Sequence, residues 1–452
     1  MENSENYLRK SVWGTVGVLF CLLLLSIIPE FDFYDFHFKR INLLADVELK
    51  KDFAPVNDTI AYTKPIFSDT CKKGIVCIED YTADSTGMLA FLQALDSSGQ
   101  RKVRIAWFGD SFVEGDIFLA PLRDTLQAVF GGSGVGFVPI SSEVAGFRQT
   151  IIHTFTSWNS STIIGEKFKT HPLGFAGSVF WPETNAEVKY STVAKSRLNN
   201  FETATLFVTA TTDNHVLVNG ADRNIVASNS IQKVLLGNNL KTISLSVNDS
   251  LPIDLYGVSF ESNTGISIDN YSMRGNSGIG LSYVSSAVYK RMNELRHPDL
   301  IVLSYGLNVA NSKAANYGWY ARSMTKTVAM IKESFPGSSI LLVGCPDRGE
   351  NNGGKYETMH GIKDLIDVQR KLAMENQVCF WNMFEAMGGD STMVRWGGMK
   401  KHAFANKDYT HLTFYGGEQM AKITAGTFLY EKEKFDRKKH VLKPTPIKKN
   451  KQ

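Results

Sequence analysis

From residue 266 onward the chain alternates between short apolar runs and stretches of helical period. Ile266 to Asn270, Leu300 to Ser304, Ser339 to Val343 and Val378 to Trp381 read as strands. Helical stretches near 284–294, 318–334 and 361–376 fall between them, and a last helix runs from about Phe414 to Tyr430. Strands that alternate with helices are joined by crossovers, and crossovers demand a parallel sheet covered on both faces. The pattern begins earlier, with helical period from Met88 (MLAFLQAL), a strand at Arg104 to Phe108 and a helix over about Leu119 to Phe130. Between about 141 and 265 the texture changes to short alternating runs, such as Ala204 to Ala210, Thr242 to Val247 and Ile253 to Glu261, separated by Asn, Gly, Asp and Ser. Many short strands at that spacing predict a β-sandwich. The expected fold is therefore α/β, a doubly wound parallel sheet with an inserted β-sandwich.

The N-terminus adds a third part. Val12 to Ile28 is an uncharged apolar run of 17 residues, preceded by Arg9 and Lys10 and followed by Glu30, Asp32 and Asp35. That length is at the short end for crossing a bilayer, and the flanking charges leave the N-terminus in the cytoplasm. No small-residue cleavage site follows, so the run reads as an uncleaved signal anchor rather than a signal peptide. The expected address is the bacterial inner membrane, single-pass, with the rest of the chain in the periplasm. The domains expected are a stub and transmembrane helix over 1–29, a juxtamembrane stalk over 30–80, the α/β domain over 81–140 and 266–436, the insertion over 141–265, and a basic disordered tail over 437–452. Seven Lys or Arg and no acid lie within 437–451, so the net charge of +4 becomes −3 without them. No basic stripe with interleaved aromatics occurs elsewhere, which excludes a nucleic-acid partner. Cys71 and Cys77 can close a small disulfide in an oxidising compartment, whereas Cys345 and Cys379 fall at strands and read as buried thiols. No Cys or His pair has zinc spacing, so neither a metal nor another cofactor is expected.

Parallel strands deliver their C-terminal ends to one edge, and open α/β sheets build their sites there. Past the first strand comes Gly109-Asp110-Ser111, which by itself is also ordinary turn chemistry. Past the second comes Ser272-Met273-Arg274-Gly275-Asn276, and past the third Gly306 and Asn308; Asp408-Tyr409-Thr410-His411 precedes the last helix. A serine hydroxyl needs a base to become nucleophilic, an imidazole supplies one near neutral pH, and a carboxylate on its other nitrogen fixes the tautomer.

These four blocks, in this order, resemble those of the SGNH (GDSL) hydrolases. The resemblance covers about 85–140 and 266–430 and implies a doubly wound, flavodoxin-like parallel sheet. It implies Ser111 as nucleophile, His411 as base and Asp408 as the residue orienting it. The Ser111 and Gly275 N–H groups and the Asn308 side chain would form the oxyanion hole. The insertion and its junctions, GGSGVGFVP and LYGVSFESNTGISIDNYSMRG, look similar to bacterial peptidoglycan O-acetylesterases, which carry a carbohydrate-binding-module-like domain at this place. Arg274 departs from the polar or aliphatic residue usual in that block. The resemblance implies an esterase acting on an O-acetylated polysaccharide. The alternative is an O-acetyltransferase using the same triad beside a membrane-bound O-acyltransferase.

Asp110, Arg348 and His402 are candidate substrate contacts, and Asp347 lies at the same edge as Arg348. Glu114 and Asp116 offer a carboxylate pair of glycosidase type, although acids at that position more commonly cap the following helix. Trp158 and Trp181 are candidates for stacking on sugar, with a core role as the rival reading. His153, His171, His215, His297 and His360 have no partner pattern and read as structural or solvated.

Overall fold

The computed structural model describes residues 71–441 apart from 165–170, 194–197, 199, 249–250 and 314–315, with short pieces between 13 and 38. The chain divides into two units, Met1–Ser68 and Asp69–Gln452. In the first, Phe31–Phe33 pairs antiparallel with Phe36–Phe38, and Trp13, Gly14, Val16 and Gly17 are helical. The anchor expected at Val12 to Ile28 otherwise lies outside the described residues. Among the described residues no helix is long and apolar enough to cross a membrane.

In the second unit, the strand Lys102–Gly109 is buried almost throughout, as its unbroken apolar run requires of a strand covered on both faces. It sits between Gly265–Asn270 and Leu300–Ser304, and the sheet continues through Ser339–Val343 and Cys379–Trp381, all parallel. In chain order this is 2-1-3-4-5, the flavodoxin-like arrangement. Gly109 lies opposite Ser304, and Ser304 opposite Val343, so the C-terminal ends align at one edge. Helices Ser286–Arg296, Gly318–Ser334 and Ile362–Glu375 pack side by side, and Leu89–Asp96, Leu119–Phe130 and Phe414–Val441 form a second group. Two groups of this kind cover the two faces of a doubly wound sheet.

Several elements differ from the sequence reading. Glu79–Asp80, expected in the stalk, adds an antiparallel edge strand beside Cys379–Phe380. Cys71 and Cys77 are joined in a disulfide just ahead of it. The last helix runs to Val441, past the expected start of a disordered tail at 437. Lys432 and Lys439 of that helix pair with Asp96 at 2.8 Å, which gives the basic stretch a partner on a neighbouring helix. A hairpin of Gly349–Asn352 and Lys355–Thr358 was not expected, although Asn-Gly-Gly at its turn is a hairpin signal.

The insertion is a nine-stranded antiparallel sheet with a hydrophobic core of its own, which includes Val188, Tyr190, Leu206, Leu245 and Val258. Its first strand is Gly136–Val138, ahead of the expected boundary at 141, and it pairs with Val258 to Phe260. The insertion also packs on the core of the parallel sheet. Phe137 lies 5.0 Å from Tyr271, Phe175 lies 5.5 Å from Tyr271 and 5.3 Å from Phe207, and Tyr271 in turn packs on Phe108 at 5.2 Å. Such ring pairs add to the burial of the rings themselves.

A polar clamp within the α/β part ties the stretch after Gly109 to the second parallel strand. Buried Arg123 makes paired bonds to Asp116 at 2.9 and 3.0 Å and donates through Nε to the Ile268 carbonyl. The Asn270 amide donates to Asp116 Oδ1 at 3.2 Å and to the Val113 carbonyl at 2.9 Å. Burial alone would raise the Asp116 pKa, but the Arg123 charge and bonds outweigh it and hold the carboxylate below its ordinary range. Removing one partner of a buried pair leaves the other charged and unpaired, a loss of about 3–5 kcal/mol. Asp116→Ala should therefore destabilise the protein by about that amount in a denaturant titration. A change below about 1 kcal/mol would mean that the clamp is not supporting the edge.

Candidate active site

Ser111 opens a single helical turn, Ser111–Glu114, directly after the central strand. Asp110 caps that turn, its carboxylate accepting from the Phe112 N–H at 3.0 Å. The first N–H groups of a helix have no partner within it, so the turn presents the Ser111 N–H beside its own hydroxyl. The His411 ring meets this serine across 300 residues of sequence, with Ser111 Oγ 3.0 Å from His411 Nε2. On the other side His411 Nδ1 lies 2.7 Å from Asp408 Oδ2. Asp408 Oδ1 accepts the backbone N–H groups of Thr410 and His411 at 2.9 and 3.0 Å, which fixes the carboxylate. Partial burial raises the Asp408 pKa, but the bond to His411 and the two N–H groups prevail and keep it low, hence ionised. His411 and Asp408 are 40% and 49% exposed, so water reaches the relay.

The loop that carries this pair is braced on two sides. Gly349 of the unexpected hairpin donates to the Tyr409 carbonyl at 2.8 Å, and Tyr356 packs on the Tyr409 ring at 4.6 Å. At the start of the last helix, a side chain on Gly416 or Gly417 would drive into the carbonyl oxygens of Phe404 and Ile117. Only glycine lets the helix seat this close to the serine turn.

The glycine and asparagine loops close the site. Met273 N–H donates to the Gly109 carbonyl at 3.0 Å, which ties the glycine loop to the end of the serine strand. Gly275 has φ +76°, and an added Cβ would meet only Ile164 at 3.6 Å, so the backbone conformation rather than space calls for glycine. The Asn308 amide donates one hydrogen to the Asn276 carbonyl at 3.0 Å, and an amide carries a second. Arg348 Nη1 donates to the Leu307 carbonyl at 3.2 Å, which makes it a support of the asparagine loop.

Other candidates find different work. Asp110 is 2% exposed and caps the serine turn from inside, so it does not meet substrate. Asp347 is buried and accepts from Thr358 Oγ1 and the Met393 N–H, both at 2.7 Å. His402 is exposed and stands edge-on to Tyr415 at 4.2 Å, with no bond to the relay. Neither expected role of Glu114 and Asp116 holds, because Asp116 is taken by Arg123 and Glu114 pairs with Arg274 at 3.0 Å. The helix Leu119–Phe130 has no side-chain cap at all. Trp158 donates to the Glu187 carbonyl at 2.8 Å, and Trp181 stacks on His171 at 3.9 Å, so both serve the insertion's own packing. His153 is buried against the Ile140 carbonyl, and burial drops its pKa to about 4. Cys345 and Cys379 are buried free thiols. Among the described residues no cluster of His, Cys, Asp or Glu could hold a metal ion.

A cavity of about 370 Å³ opens beside the serine turn, between Glu114 and the glycine loop Ser272–Arg274 on one side and the insertion's Phe155, Thr162 and Ile164 on the other. No single stretch of sequence signalled it, because its walls come from segments more than a hundred residues apart.

The chain shares its fold with a solved structure of a peptidoglycan O-acetylesterase, at 23% identity and a TM-score of 0.67, over 79% of this chain and 99% of that one. The parallel sheet fits the SGNH hydrolase fold expected from the four sequence blocks. Two further solved structures match. The salicylyl-acyltransferase SsfX3 of a tetracycline biosynthetic pathway is 12% identical over 65% of this chain and 97% of its own, with a TM-score of 0.29. A family two carbohydrate esterase from Clostridium thermocellum is 11% identical over 62% and 98%, with a TM-score of 0.26. No family model and no curated protein matches the chain.

Burial pushes the Asp110 carboxyl up to about 6, against the opposing pull of the Phe112 N–H and the His411 charge. A carboxyl raised in the folded state binds more protons there than in the unfolded chain. It therefore removes stability as pH rises from its ordinary value near 4 to about 6. Asp110→Asn keeps a capping oxygen without the titration. Measured as a difference from the parent, its stability should climb between pH 4 and 6 and be level above. A difference independent of pH would show that Asp110 does not titrate in that window.

Proposed function

We propose that the protein is a membrane-anchored, extracytoplasmic serine esterase that removes O-acetyl groups from a cell-envelope or extracellular polysaccharide of peptidoglycan type. The observation that carries the reading is the continuous relay from Ser111 through His411 to Asp408. Ser111 Oγ attacks the acetyl carbonyl while His411 Nε2 takes its proton, and Asp408 stabilises the imidazolium. The oxyanion is received by the Ser111 and Gly275 N–H groups and the free Asn308 hydrogen, a kind of donor worth about 10²- to 10³-fold in rate. Collapse expels the sugar oxygen, which takes the proton from His411 and leaves acetyl-Ser111. Water, deprotonated by the same imidazole, then releases acetate.

Transfer of the acetyl group to a second sugar, with a membrane-bound O-acyltransferase as donor partner, would use the same relay. It would also need water kept from the acyl-serine. The exposure of His411 and Asp408 favours hydrolysis. The likeness in fold to a peptidoglycan O-acetylesterase supports the choice of an acetylated polysaccharide, and the cavity beside the serine turn offers room for a sugar.

Ser111→Ala should abolish hydrolysis of nitrophenyl acetate with unchanged thermal unfolding, and a sulfonyl fluoride probe should label Ser111 in mass spectrometry. Labelling at another serine would overturn the assignment. With acetylated peptidoglycan, acetate should appear in solution; acetyl found only on an acceptor sugar would instead make the enzyme a transferase. The anchor has its own test. Full-length protein should stay with membranes in high salt and keep its N-terminus, whereas a soluble form beginning near residue 30 would show cleavage.

A further inference from the structure

A second cavity, of about 550 Å³, lies at the opposite edge of the parallel sheet, where Lys102–Gly109 begins. Eight residues of strand put it about 25 Å from the serine turn. Its walls come from both parts of the protein, with Arg101, Lys102, Arg104 and Arg296 on the α/β side and Thr203, Lys233 and Asn263 on the insertion. The size is that of a small-molecule site.

We propose that this cavity binds an anionic oxygen group, a phosphate or a carboxylate. The proposal is independent of the esterase reading. Five cationic side chains line the cavity, Arg101, Lys102, Arg104, Lys233 and Arg296, together with one carboxylate, Glu261. Glu261 is shared by three of them, at 2.7 Å from Lys102, 2.8 Å from Arg104 and 3.2 Å from Arg296. Asp269 behind the wall pairs with Arg296 at 2.5 Å, and Asp299 with Arg101 at 2.7 Å. Three carboxylates thus face five cations. Lys233 is exposed, reaches only the Leu295 carbonyl at 3.3 Å, and has no ion pair among the described residues. A purely structural clamp balances its charges, because like charges gathered in a low-dielectric wall repel. Burial lowers the pKa of Lys102 and, despite the pull of Glu261, the Arg104 and Arg296 charges push it the same way. An anion entering the cavity relieves that excess and finds Lys233 and Arg101 at the rim to close on it.

The test is calorimetric titration of the full chain with inorganic phosphate, trigalacturonic acid and the neutral galactotriose, at low and high salt. Binding of either anion, weakened about tenfold or more by salt, with no heat from galactotriose, is expected. Tighter binding of trigalacturonate would assign a saccharide-borne carboxylate, and tighter binding of phosphate a free phosphate ion. The double variant Arg101→Gln, Lys233→Ala should bind at least tenfold more weakly while its melting temperature and its turnover of nitrophenyl acetate stay unchanged. The proposal falls if neither anion binds, if galactotriose binds as well as the anions, or if the double variant binds like the parent. Lys233→Glu alone, at an exposed position, gives a second route to the same readout should the double variant unfold.

Discussion

A buried carboxylate, Asp116, holds together two stretches of chain that the insertion separates by more than a hundred residues. Arg123 and Asn270 meet on it, so the serine turn and the strand leading to the glycine loop are fastened to one point. Without a fastening of this kind, the serine and glycine blocks would be joined only through a long excursion of β-structure. Oxyanion donors are useful only if they are in place before the charge develops. In the proposed reaction the buried clamp would supply that preorganisation from beneath the site.

The same logic governs the insertion as a whole. It has a core of its own, yet Phe137 and Phe175 lie outside that core and pack on Tyr271, one residue past the second parallel strand, with Phe207 packed on Phe175 behind them. At the far edge Glu261, at the end of the insertion's last strand, is gripped by Lys102, Arg104 and Arg296 of the α/β part. Aromatic packing in the middle and ion pairs at the end resist rotation of one part against the other. Each cavity between them therefore has walls of fixed spacing.

The relay itself shows a division of labour. Ser111 and His411 are brought together by the sheet, since both sit at its C-terminal edge whatever their distance in sequence. Asp408 and His411 are brought together locally, because three residues in a tight loop place the carboxylate on the imidazole. The supports of that loop, Gly349, Tyr356, Gly416 and Gly417, are scattered along the last hundred residues and carry no chemistry of their own.

The sequence by itself determined the architecture and the relay. Alternating strand and helix periods leave few topologies open, and the residue after a parallel strand must lie at the common edge. Ser111, Gly275 and Asn308 fall at that edge for this reason, the resemblance of the four blocks to a known family singled out all five with Asp408 and His411, and the five parallel strands were placed to within two residues. Only the tertiary structure decided the use of Asp110, Glu114, Asp116, Arg348 and Asp347. A charged residue near a site looks the same in sequence whether it faces substrate or a buried arginine, and burial is set by neighbours distant in the chain. The two cavities were invisible for the same reason. Each is bounded by side chains that become neighbours only when the insertion folds back on the sheet, and no local pattern records that contact.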